Sequence, residues 1–168
     1  MIVIVAGVAG SGKTTVGLLL AQRLDCVFAD GDEFHPPANV AKMRAGTPLT
    51  DADRWPWLRA IGAWLDEKDA AGESAVVACS ALKRRYRDLL LDGRPAVRMV
   101  FLLIDHDADD ARLVTRRGHF FPEKLLDSQF AALELPEPPE RVDLVPASGT
   151  PDETASDILS LLRPAPGT

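Results

Sequence analysis

The sequence predicts an α/β fold in three layers: a five-stranded parallel sheet between two sets of helices, with small substrate-binding and lid segments. Three observations predict it. Short apolar runs alternate with segments of helical period along the chain, the pattern of parallel strands joined by crossover helices. The first apolar run, Ile2–Ala6, leads directly into Gly7-Val-Ala-Gly-Ser-Gly-Lys-Thr14. That run matches G-x-x-x-x-G-K-[ST], a phosphate-binding loop that needs a strand before it and a helix after it. The length, 168 residues, suits one domain with a substantial core.

The elements follow in order. Ile2–Ala6 reads as a buried strand. After the glycine loop, Thr15–Leu24 carries Val16, Leu19, Leu20 and Leu24 on one helical stripe. Val27–Ala29 is a second short strand, ending at Asp30-Gly-Asp32. Residues 33 to 54 are polar, with Pro36-Pro37, Gly46 and Pro48, and read as loops around a short helix near Ala38–Ala45. Trp57–Lys68 is a helix with Leu58, Ile61, Trp64 and Leu65 on one face. Ala75–Cys79 is a third strand, and Ala81–Leu91 a basic helix stopped by Asp92-Gly93. Val97–Ile104 is a fourth strand. Asp107–Arg117 is a helix broken by Gly118 and Pro122, and Glu123–Leu133 another. Val142–Val145 is a fifth strand. Thr150-Pro-Asp-Glu153 opens the last helix with an N-cap, a first-turn proline and a capping box. Residues 164–168 form a frayed tail.

Composition limits the partners. The net charge of −6 argues against a nucleic-acid-binding surface. No apolar stretch approaches the length of a membrane span, and the N-terminal run lacks the basic region and cleavage site of a signal peptide. Cys26 and Cys79 stand in apolar surroundings and read as free buried thiols, which suits a reducing, cytoplasmic setting.

The glycine loop brings its own chemistry. Glycines let backbone N–H groups turn inward around phosphate oxygens. The first helical turn adds unpaired donors and the positive end of its dipole. Gly7, Val8, Ala9, Gly10, Ser11, Gly12, Lys13, Thr14 and Thr15 are therefore candidates to hold ATP. Lys13 meets the β/γ-phosphates, and the Thr14 hydroxyl ligates Mg²⁺. Asp30 and Asp32 fall at the carboxyl end of the second strand, on one side of an extended chain. A carboxylate there holds Mg²⁺-bound water or accepts a proton from a substrate hydroxyl; a solvated Asp-Gly turn is the alternative. His35 is a candidate donor to a substrate oxygen or a structural histidine.

Two basic clusters stand out. Arg112, Arg116, Arg117 and His119 straddle Gly118, as in a lid closing on the γ-phosphate; a solvated helix end is the bland reading. Lys83, Arg84, Arg85 and Arg87 follow the third strand, and helical spacing sets Lys83 and Arg87 on one face. Ser80 and Lys83 then meet an anionic substrate. The chain lacks Asn-Lys-x-Asp, and its third strand ends in Cys79-Ser80 rather than an acid. Asp30 and Asp32 must therefore supply the carboxylate that motor-type ATPases carry on such a strand.

These segments resemble the gluconokinases, P-loop small-molecule kinases related to shikimate kinases. The matching pieces are Gly7–Thr15, Asp30-Gly-Asp-Glu-Phe-His-Pro36, Asn39–Met43, Gly46–Leu58, Cys79–Asp88, Arg117-Gly-His-Phe-Phe121 and Gln129–Glu134. They stand in family order and span residue 2 to about 146. Ala9, where the family pattern has Ser, and Thr14, where Ser is common, are small departures.

The resemblance implies phosphorylation of D-gluconate by ATP to 6-phospho-D-gluconate, with Mg²⁺. It implies Lys13, Asp32, Arg116 and Arg117 as catalytic residues, Asp32 taking the hydroxyl proton. Arg112 and Arg116 join the ATP site, and Thr14 and Asp30 serve the metal. Asp32, His35, Lys42, Arg54, Ser80, Lys83, Arg87 and His119 are the substrate-binding candidates. The substrate segment spans about 31–71 and the lid about 112–133. By fold analogy, Ala147–Gly149 after the fifth strand touches adenine. The resemblance admits a homodimer, on which the sequence is silent. Two alternatives stay open: a kinase for another small hydroxy acid or a nucleotide, and a non-catalytic nucleotide-binding switch.

Overall fold

The computed structural model describes residues 1–104 and 123–164. Five parallel strands form one sheet: β1 (Ile2–Ala6), β2 (Val27–Asp30), β3 (Ala75–Ala78), β4 (Val97–Leu103) and β5 (Val142–Pro146). Their order is β2-β3-β1-β4-β5. Ile2 at the start of β1 aligns with Ala75 of β3 on one side and Val97 of β4 on the other. The helices are α1 (Lys13–Leu24), α2 (Pro37–Arg44), α3 (Asp51–Ala70), α4 (Arg84–Leu91), α5 (Glu123–Ala132) and α6 (Pro151–Leu162). A 3₁₀ turn, Gly31–Phe34, follows β2.

The strict period of a strand divides the core in two. Ile2, Ile4 and Ala6 of β1 face Trp57, Leu58, Ile61 and Leu65 of α3 and Tyr86 and Leu90 of α4. Val3 and Val5 face Val16 and Leu20 of α1 and Ala155, Ile158 and Leu162 of α6. A strand buried on both faces has no place for a polar residue, and β1 is buried throughout. Successive residues of β1 thus hold the two helical layers apart across one sheet.

This topology creates the site. The chain leaves β1 over one face of the sheet, through α1, and leaves its neighbour β3 over the other, through α4. A crevice opens between the two departing loops at the strands' carboxyl ends. The glycine loop and Ser80 form its walls, joined where Gly7 N–H donates to Ser80 O at 3.3 Å.

Two helix starts differ from expectation by three residues or more. α3 begins at Asp51 rather than Trp57 and runs through Pro56. Thr50 caps it: its hydroxyl accepts from Asp53 N–H, and the Asp53 carboxylate accepts from Thr50 N–H. This capping box starts the helix within the polar stretch that reads as loop, and the helix accommodates Pro56. α4 begins at Arg84 rather than Ala81, because Ala81 adopts φ 42° and Lys83 is extended. Lys83 and Arg87 therefore do not share a helical face. The last helix opens as expected, with Thr150 and Glu153 in a capping box. The expected helix at 107–117, with Arg112, Arg116, Arg117 and His119, lies outside the described residues. No helix among the described residues is long and apolar enough to cross a membrane.

Candidate active site

The crevice is a cleft of about 460 Å³. Ala9, Gly10, Lys13, Thr14 and Thr15 line one wall, Asp30, Asp32, His35 and Arg54 another, and Ser80 and Tyr86 a third. Gly12 precedes α1 at φ 92°, a left-handed conformation natural to glycine. The turn it permits leaves the first N–H groups of α1 without helical acceptors and aimed outward. Lys13 Nζ reaches back to Val8 O at 3.2 Å, so its ammonium lies along the edge of the loop.

A close backbone crossing places the two acids. A Cβ on Gly31 would come within 2.3 Å of Ala78 O, so only glycine lets the turn after β2 press against β3. Gly31 O accepts from the buried Trp57 indole at 2.7 Å, which fixes the turn to α3. Asp30 Oδ1 accepts from Asp32 N–H at 3.0 Å, leaving its second oxygen for the cleft. Asp32 is exposed at the cleft rim, yet the protein packed around it raises its carboxyl above the ordinary 3.8; Lys13 pulls it down and Asp30 pushes it up. A carboxyl raised by desolvation beside a lysine suits proton transfer.

The hydrogen-bond pattern assigns the tautomer of His35. Asn39 donates through Nδ2 to Asp53 O at 2.8 Å and to His35 Nδ1 at 3.1 Å. A carbonyl only accepts, so that Asn39 atom is the nitrogen, and His35 Nδ1 must be the unprotonated one. Nε2 carries the proton. Burial, with Arg54 adding repulsion, lowers the imidazole to about 4, so His35 is a neutral donor at pH 7.

The basic candidates separate clearly. Lys42 Nζ binds Asp53 at 2.8 Å, and Lys83 Nζ binds Asp51 at 3.2 Å. Asp51 also accepts a hydrogen bond from the Tyr86 hydroxyl and pairs with the Arg85 guanidinium. Lys42 first, then the Thr50 amide, holds Asp53 down at about 2. Arg54 lines the cleft and donates only to Leu49 O, at 2.7 Å, and Tyr86 Oη, at 3.3 Å. Among the described residues it has no carboxylate partner.

Arg87 corrects an expectation. Its side chain is wholly buried and paired with Glu140 at 2.7 Å, so it meets no substrate. Its Nη1 donates to Ala81 O at 3.1 Å and Leu82 O at 3.0 Å. Those carbonyls belong to the turn where Ala81 takes its left-handed conformation, which costs a non-glycine residue about 1–2 kcal/mol. Arg87 thus braces the loop that presents Ser80. Cys79 is buried and pushed up to about 12 by that burial, an inert thiol; Cys26 is only half-buried.

Sequence reasoning missed several lining residues, Tyr86, Ser128 and Gln129 among them. Tyr86, the sole tyrosine, bridges Arg54 to Asp51. Ser128 and Gln129 reach the cleft from α5. Their only signal is that Gln129 opens one of the matching segments.

Residues 9–116 match the family model described as Shikimate kinase. The gluconokinase of Gluconobacter oxydans (strain 621H) is 46% identical over 156 residues, covering 93% of this chain and 88% of that protein. An unliganded sugar kinase from Janibacter sp. HTCC2649 superposes with a TM-score of 0.90 at 43% identity, over 96% of this chain and 93% of that one. A gluconokinase from Sinorhizobium meliloti 1021 gives 0.83 at 43% identity, over 94% and 89%.

Proposed function

The chain belongs to the gluconokinase family, and from that premise we infer its chemistry: ATP gives its γ-phosphoryl group to the 6-hydroxyl of D-gluconate, yielding ADP and 6-phospho-D-gluconate. The observation that carries the reading is the pairing of opposite walls in one cleft. The phosphate loop and Lys13 face Asp32, and Arg54 beside them meets only neutral acceptors among the described residues. A substrate with both a hydroxyl and a carboxylate satisfies that arrangement.

In-line phosphoryl transfer asks the protein for position and charge neutralisation more than covalent chemistry. The loop amides and Lys13 hold the β- and γ-phosphates. The Asp32 carboxylate orients the attacking hydroxyl and takes its proton as the O–P bond forms and the bond to the ADP oxygen breaks. Arg54 pairs with the gluconate carboxylate, and His35 Nε2–H and Ser80 bind the polyol. Lys42 and Lys83 act through the acids they hold, keeping the start of α3 and thus Arg54 in place. Arg112, Arg116, Arg117 and His119 are proposed as the lid, and Ala147–Gly149 as the adenine contact.

The donor set fits magnesium. The Thr14 hydroxyl and the Asp30 carboxylate are hard oxygen ligands in the same cleft, and Mg²⁺ is held by few protein oxygens plus phosphates and water. When bound, it neutralises charge on the phosphoryl oxygens. A cytoplasmic setting is proposed with this activity, because the free thiols Cys26 and Cys79 suit a reducing compartment.

An ADP-release assay over gluconate, glucose, shikimate and nucleoside monophosphates tests the assignment. Gluconate should lead by several powers of ten over glucose, because glucose leaves the Arg54 charge unmatched. Comparable glucose turnover would overturn the acceptor assignment; bound ATP with no acceptor at all would favour the switch.

A further inference from the structure

One polar side chain in the cleft has no role in that scheme. Gln129 reaches from α5 to the phosphate loop, where its Oε1 accepts from Ala9 N–H at 2.6 Å. A backbone N–H only donates, so the atom facing it must be the carbonyl oxygen. The other end of the amide is then fixed as Nε2, with two donor hydrogens and no acceptor among the described residues. Gln129, Ala9 and Lys13 line the same cleft. Lys13 Nζ lies 3.2 Å from Val8 O, the residue before Ala9. The ammonium that meets the terminal phosphates and the Gln129 amide therefore flank one edge of the loop.

We infer that Gln129 is a γ-phosphoryl ligand: the Ala9 N–H orients its carboxamide, and Nε2–H donates to a γ-phosphoryl oxygen of ATP. The inference rests on reading the loop as the ATP site. A carboxamide suits this task better than a further cation, since it supplies a directed donor without adding charge beside Lys13. Gln129 also ties α5, the helix after the 105–122 segment, to the loop, so γ-phosphate recognition and the seating of α5 share one side chain.

Two substitutions separate the donor from the tether. Gln129→Glu keeps an oxygen for Ala9 N–H but removes the donor and sets a negative charge toward the phosphate. Gln129→Met removes both. Titration calorimetry of the full chain with Mg²⁺ should compare ADP with a non-hydrolysable imido analogue of ATP. Losing a hydrogen bond to a charged group should weaken analogue binding on the order of 10-fold or more relative to ADP in both variants. ADP lacks the γ-phosphate, so its affinity should hold in Gln129→Glu. A wild-type ratio of the two affinities in either variant would overturn the inference and leave Gln129 a tether. The readout does not require gluconate turnover, so failure of the acceptor assignment leaves this test intact. A wild-type chain that binds neither nucleotide would remove the ATP site and this contact with it.

Discussion

His35 lies face to face on Trp57, with ring centroids 4.3 Å apart and planes 14° from parallel. The same indole anchors Gly31, the glycine between the two cleft acids. One tryptophan of α3 thus seats both the candidate acids and the candidate histidine donor. The stack also withdraws the imidazole from water and contributes to its lowered pKa.

That pKa makes acid stability testable. The unfolded histidine titrates near 6.5 and the folded one near 4. Between those values the unfolded chain binds the proton and the folded chain does not, so stability falls as pH drops through the window. His35→Phe keeps the stack and removes the titration. Denaturant midpoints from pH 7 to 4.5 should decline more steeply for wild type than for the variant. Parallel declines would exclude His35 as the titrating group. Asp53, held at about 2, loses its contribution only as pH falls below its ordinary 3.8 toward that value, beneath this window.

Arg87 and Glu140 should behave as a structural pair. Removing one member leaves a buried charge without its partner, at a cost of about 3–5 kcal/mol. Glu140→Gln and Arg87→Met should each lower the chemical-denaturation midpoint strongly. The double variant Arg87→Met/Glu140→Leu should recover part of the loss. The gluconate KM of whatever remains folded should change little for Glu140→Gln. A selective rise in KM without loss of stability would return Arg87 to the substrate site.

The sheet was legible in the sequence because its code is local. Apolar runs such as Ile2–Ala6 and Ala75–Ala78 sit between glycine turns and amphipathic stripes, and each strand needed no knowledge of the others. The phosphate loop was legible for the same reason. Ion pairing was not. Lys42, Lys83 and Arg87 carry the same charge in sequence as Arg54. What separates them is Asp53, Asp51 and Glu140 arriving from other elements. The start of α3 was hidden by the polar, Pro- and Gly-bearing stretch before it, although the Thr50 and Asp53 caps stand in the sequence. Gln129 was hidden because its partner is a backbone amide, which every residue carries alike.

Asp32 should set the acid limb of the rate. Its carboxyl is raised by desolvation, with Lys13 opposing and Asp30 assisting. Activity that needs the carboxylate should therefore begin to fall, on acidification, above the ordinary carboxylate range of 3.8. Asp32→Asn should lower kcat by on the order of 10²–10⁴-fold while nucleotide affinity stays near wild type. The acid limb should disappear from the residual rate. An asparagine variant with wild-type kcat would end the proton-acceptor role.

Arg54 should carry the choice of acceptor. It donates to the Leu49 carbonyl and the Tyr86 hydroxyl, both neutral, and those bonds orient the guanidinium without cancelling its charge. Tyr86 is itself committed to Asp51, so the arginine is held in place through two successive hydrogen bonds. A bound carboxylate completes the charge balance that neutral groups leave open. Arg54→Met should weaken gluconate on the order of 10²-fold in kcat/KM, the cost of stranding one half of a desolvated ion pair. Poor turnover of glucose should barely change, because glucose has no carboxylate to lose. The ratio of gluconate to glucose should therefore fall by the same order, about 10²-fold, in the variant. Arg54→Lys should recover only part of it, since an ammonium cannot reproduce the two-pronged geometry of a guanidinium on a carboxylate. If both acceptors fall together, Arg54 supports the fold of the cleft and another group reads the carboxylate.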